Sequence, residues 1–168
     1  MRYGDLVRAV IGVSVLALAG CAARVGGHVT PGMSQPDVSS IGGAPAAEGK
    51  LATGERYWDY TLQPSGYFTW RVVFGTDGRV TGVHNLLTER NILNLKTGMN
   101  ETDVAQVLGP SLMREGYWRG DYSVAYRFME NATFMLLTVQ FTRDGHLSYY
   151  YWEPDPAMYS APGGDTRG

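Results

Sequence analysis

One nucleophile stands out among the side chains able to do chemistry: Cys21, the only cysteine in the 168-residue chain. A lone thiol forms no intrachain disulfide. It directly follows Leu18-Ala19-Gly20, which close an apolar stretch, Ala9 to Ala19, preceded by Arg2 and Arg8. A basic start, a short apolar middle and small residues before a cut describe a secretory signal. The stretch is shorter than the roughly 20 residues a spanning helix needs. The remaining reactive residues form no constellation. His28, His84 and His146 lie far apart and lack metal-ligand spacing. Gly32-Met33-Ser34-Gln35-Pro36 puts proline where a nucleophile elbow needs glycine. Glu101 and Asp103 could be imagined as an acid–base pair, but they read as carboxylates of a first helical turn. The expectation is a protein that is not an enzyme, with no catalytic residues, no metal and no cofactor.

A second group with chemical potential is aromatic. In Tyr149-Tyr150-Tyr151-Trp152, Tyr149 and Tyr151 share the phase of Leu147 and are expected to face the core. Tyr150 and Trp152 then point outward, joined by Trp70 or Trp118, as a candidate partner-binding patch. Rigid aromatics supply much of the energy at protein interfaces, and exposed apolar patches are uncommon without a partner.

The elements that must position these residues come in two copies. Gly32-Met33-Ser34-Gln35-Pro36-Asp37-Val38 recurs as Gly98-Met99-Asn100-Glu101-Thr102-Asp103-Val104, 66 residues on. Phe74-Gly75-Thr76-Asp77-Gly78 recurs as Phe141-Thr142-Arg143-Asp144-Gly145, 67 residues on. Ser34 and Asn100 suit helix N-caps, with Asp37 and Asp103 at the third helical position of a capping box. Gly43 and Gly109 suit left-handed helix ends. Such two-turn helices are unstable alone and must lie on a sheet. Tyr57–Leu62, Phe68–Phe74 and Arg79–Asn85 alternate like half-buried strands around the Asp77-Gly78 turn, and residues 121–152 repeat the pattern. The expected fold is α+β: two tandem units, each with short helices on a three-stranded antiparallel meander. The first covers 29–86 and the second 87–153. Residues 1–20 read as a signal peptide, 21–28 as a lipidated tether reaching about 20 Å if extended, Gly43–Gly54 as a loop, and 154–168 as a disordered tail.

Loss of residues 1–20 removes two of 14 basic and one of 16 acidic side chains, leaving a net charge of about −3. That excludes the concentrated basic surface of a nucleic-acid binder and a polybasic grip on anionic lipid. No small-molecule substrate is implied. Of the full chain's 4 Trp, 11 Tyr and 5 Phe, only Tyr3 precedes residue 21, and burial of the others must supply the core.

Leu18-Ala19-Gly20-Cys21 resembles the lipobox of bacterial lipoproteins. The resemblance implies cleavage before Cys21, lipid on its thiol and a further acyl chain on its amine. Ala22 follows where an inner-membrane retention signal would have aspartate, implying transport to the periplasmic face of the outer membrane. Leu95-Lys96-Thr97-Gly98-Met99, Val107-Leu108-Gly109-Pro110, Tyr126, Phe141, Asp144 and Gly145 resemble the SmpA/OmlA (BamE-like) lipoprotein family. Pro31-Gly32-Met33, Gly43-Ala44-Pro45, Trp58-Asp59-Tyr60 and Phe74 match it less completely. Gly109-Pro110 departs from the family, which usually has a residue between. The resemblance implies a non-catalytic scaffold that binds another envelope protein, accessory to outer-membrane protein assembly. The tandem layout is also similar to the β-lactamase inhibitor protein family, which implies the alternative of an inhibitor of a periplasmic hydrolase.

Overall fold

The computed structural model describes residues 22–159. Cys21 and the expected signal peptide, 1–20, lie outside the described residues, as does 160–168 of the expected tail. The chain is α+β and divides into two compact units. One comprises the residues up to Leu62 together with Thr69–Asn85. The other comprises Gln63–Phe68 and the residues from Leu86 onward.

In the first unit, a helix over 22–28 (α1) and helix α2 (Gln35–Gly42) cover one face of an antiparallel sheet. Its strands run β1 (Ala47–Lys50), β2 (Arg56–Thr61), β3 (Thr69–Phe74) and β4 (Val80–Asn85), in that order across the sheet. The second unit carries α3 (Glu89–Ile92), α4 (Glu101–Leu108), strands β5 (Met113–Gly116), β6 (Tyr122–Glu130), β7 (Thr133–Phe141) and β8 (Leu147–Pro154), and a last helix α5 (Pro156–Tyr159). Each sheet therefore has four strands, not the three expected. The missed strands, β1 and β5, are short, and in β1 the Ala47-Glu48-Gly49-Lys50 sequence lacks the alternation and β-branched residues that announce a strand. It forms because its neighbour supplies the pairing: Glu48 lies opposite Trp58, and the Trp58 indole donates to Glu48 Oε2 at 3.1 Å.

The caps, helix ends and helix-to-strand pairings of the two units repeat one another. Ser34 and Asn100 each accept from the amide three residues on, while Asp37 and Asp103 reach back to the cap amides. Gly43 and Gly109 end their helices at φ 71° and 79°, and their carbonyls accept from the Tyr60 and Tyr126 hydroxyls at 3.3 and 3.4 Å. The backbone of Gly32 and Met33 pairs with Val80 as that of Gly98 and Met99 pairs with Leu147. The cap is worth roughly 1 kcal/mol. Asn100→Ala should lower stability by about that amount in chemical denaturation, and Asn100→Ser should recover it.

Hydroxyl burial has a pH consequence. Desolvation pushes the Tyr60 phenol up to about 12 and raises Tyr126 further. A pKa raised on folding contributes stability that is complete below the ordinary tyrosine value and is lost as pH rises toward the folded one. The fold should therefore weaken above pH of about 10. In a spectrophotometric tyrosine titration these two phenols should ionise after the exposed ones, and Tyr60→Phe/Tyr126→Phe should remove the late phase.

Two further expectations are corrected. Residues 22–28 are a helix, not an extended tether: Val25 is wholly buried and Ala22 nearly so in the first core, beside Val38, Tyr60 and Phe74. Residues 154–159 are ordered as the end of β8 and α5. Asp155 is buried. Its Oδ2 accepts from the Tyr67 hydroxyl at 3.1 Å and lies 2.7 Å from Arg127 Nε, off the line of a hydrogen bond, as an ion pair. Oδ1 accepts from the Ala157 amide at the start of α5. The Gln63 side-chain amide acts as a surrogate peptide group, donating to the Arg127 carbonyl and accepting from its amide.

Candidate binding face on the second sheet

The phase of β8 decides which aromatics are free. Phe141 faces Leu147 but Gln140 faces Tyr149, so the ladder carries one extra residue, Ser148, at this point. A bulge of this kind puts consecutive positions out of alternation and turns the rest of the strand over. The Ser148 hydroxyl donates to the Gln140 carbonyl at 3.2 Å and holds the irregularity. Leu147 is buried on the helix side, and so are the half-buried Tyr150 and Trp152, which pack on the second core. Trp152 meets Phe128 edge-on at 6.3 Å. Tyr149 and Tyr151 point the other way and are exposed. The expected orientation of the four aromatics is therefore reversed, and the reason is the bulge.

The other two candidates separate as well. Trp70 is half-buried against the first core. A Cβ placed on Gly26 of α1 would sit 2.2 Å from its ring, so this tryptophan is the seat of that helix. Trp118 lies in the turn between β5 and β6 and is 87% exposed, with the Arg119 guanidinium 4.4 Å above its ring.

On the outward side of the second sheet, Tyr117, Trp118 and Arg119 form one wall of an open groove of about 740 Å³, and Tyr149 and Tyr151 the other. The two β8 rings lie 6.4 Å apart and nearly parallel. Tyr117 is fixed by a hydrogen bond with Ser123 Oγ at 3.1 Å, and Gln140 and Asp121 are among the residues that line the groove. Asp121 accepts from the Arg143 amide at 3.0 Å. The groove can offer flat apolar rings together with a guanidinium, a carboxylate and an amide.

The first unit is an internal reference for what the fold itself requires. It has the same turn (Leu51 to Glu55 for Tyr117 to Asp121), the same bulge between Val73 and Phe74, and the same hydroxyl bond from Thr81 to the Val73 carbonyl. Yet the positions matching Tyr117, Trp118, Tyr149 and Tyr151 are Leu51, Ala52, Gly82 and His84. Backbone, caps and bulge do not need these aromatics. The same comparison could have found them in the sequence: Val80 and Val83 are three apart where an unbroken strand would place its apolar residues two apart.

The other reactive side chains have local partners or stand alone. Asp103 caps α4, and Glu101 accepts from Arg114 at 2.8 Å. His28 closes α1 against the Arg24 carbonyl. Among the described residues no three His, Cys, Asp or Glu side chains gather as a metal site, and no helix is long and apolar enough to cross a membrane. No family model matches the chain, and no curated protein matches its sequence.

Proposed function

We propose that the protein is a non-catalytic lipoprotein of the SmpA/OmlA (BamE-like) kind, held at the periplasmic face of the outer membrane by lipid on Cys21, that binds another envelope protein. The binding face is the groove between Trp118 and the Tyr149–Tyr151 pair. One observation carries the reading: four large aromatics sit on a face where the sister unit, with the same backbone bonds, has none of them. Tyr, Trp and Arg are the residue types that dominate binding hot spots, and here they cluster in the open. The layout Leu18-Ala19-Gly20-Cys21 supports the anchor, since two or more chains hold a protein stably where one does not.

The test places a photo-crosslinking amino acid at Arg119 in the full-length protein in native envelopes. A discrete adduct should form and should disappear when Trp118→Ala, Tyr149→Ala and Tyr151→His are combined. An adduct that survives the triple variant, or no adduct in intact envelopes, would reject this face. Acylation is checked by intact mass and by the loss of membrane association in Cys21→Ser.

A further inference from the structure

The helix that follows Cys21 restricts where the first unit can be. We infer that this unit is seated directly on the bilayer surface, with the lipid surface as its partner and the exposed side of α1 as the edge of the contact. The inference rests on the reading that Cys21 is acylated. Adjacent Cα atoms are about 3.8 Å apart, so acyl chains on residue 21 leave the protein one residue from Ala22. Ala22 is only 6% exposed and belongs to the core of the unit.

Nothing between the lipid and the fold can act as a flexible spacer. Val25 is wholly buried, and a Cβ on Gly42, at the end of α2, would lie 2.7 Å from Val25 Cγ2. Gly26 lies flat on Trp70, where no larger side chain fits. The helix is held from α2 and from β3, so pulling it away as a tether would expose Ala22, Val25 and Val29. Burying one of the two valines is worth about 1.5–3 kcal/mol. Ala23, Arg24, Gly27 and His28 are the helix residues left outside the core, and Arg24 and His28 are compatible with a headgroup layer. A unit anchored in this way has no polymer-like reach from the bilayer.

The experiment uses the full lipidated chain in phosphatidylcholine–phosphatidylglycerol vesicles carrying headgroup nitroxide lipid. Gly27→Cys takes a fluorophore, because this glycine is exposed and a Cβ there meets nothing within 4 Å. Its fluorescence should be strongly quenched. Inserting twelve Gly/Ser residues between Cys21 and Ala22 adds roughly 19 Å of root-mean-square reach, and quenching should fall at least two-fold. Gly26→Leu, which displaces α1 from Trp70, should also reduce it. Equal quenching with and without the insertion, on protein whose mass confirms acylation, overturns the seating alone. A mass showing an unmodified thiol overturns the lipid reading and the seating with it.

Discussion

Arg71→Ala should destabilise the first unit by about 3–5 kcal/mol, the cost of stranding one member of a buried ion pair. Arg71 and Asp59 face each other across β2 and β3. Both are buried, and the guanidinium grips the carboxylate in a fork, Nε to Oδ1 at 2.8 Å and Nη2 to Oδ2 at 2.7 Å. The same guanidinium lies 3.9 Å from the centre of the Tyr57 ring. Burial raises the Asp59 pKa, opposed by the Arg71 hydrogen bonds and charge. Removing Arg71 leaves that carboxyl with desolvation and no compensating cation. The second unit shows what the same sheet does without the pair: the matching positions are Ala125 and Thr138, again opposite one another. Asp59→Ala/Arg71→Thr should therefore recover a large part of the loss, because neither charge is then left alone. Urea denaturation of the two variants decides the matter. A double variant as unstable as Arg71→Ala would show that the pair is worth its full contact energy to this unit. An Arg71→Ala protein within 1 kcal/mol of the parent would remove the stranded-charge argument.

The second large effect concerns binding. Trp118→Ala alone should weaken association with the proposed envelope partner by about thirty-fold, the roughly 2 kcal/mol that marks a hot-spot residue. Its ring stands in solvent, so the same substitution should change folding stability by no more than about 0.5 kcal/mol. Binding lost without stability lost is the signature sought. Tyr150→Phe and Trp152→Phe supply the contrast. These side chains sit on the helix side of the sheet and pack on the core, so they should leave the affinity within about two-fold of the parent, which is below 0.5 kcal/mol. Affinity that falls with Trp152→Phe and not with Trp118→Ala would place the interface on the other side of the sheet.

Much of the local structure is legible in the chain itself. Ser34 and Asp37, like Asn100 and Asp103, carry the chemistry of a cap in adjacent residues, so the start of each long helix can be read without its surroundings. The Asp77-Gly78 and Asp144-Gly145 turns are equally local, with both glycines at positive φ. The duplication is visible because the residues that make these local bonds recur at a constant offset. Gly43–Gly54 shows where such reading stops. Its strand exists only through pairing with β2, and pairing energy has no trace in a tetrapeptide of Ala, Glu, Gly and Lys.

The sequence by itself determined that two copies of one capped-helix-and-sheet unit follow a short apolar stretch and a solitary thiol, because caps and turns are written in neighbouring residues. Tertiary structure decided which rings face solvent, and the trace it leaves in the chain is the three-residue spacing of Val80 and Val83 in the sister unit. A bulge at Ser148 inverts the phase of the strand after it, and a hydrogen bond from Ser148 to the Gln140 carbonyl on the adjoining strand accompanies it. It also decided that residues 22–28 join the first core, since the pocket they fill is made by Tyr60, Trp70 and Val38, residues distant in the chain that only the folded sheet brings together.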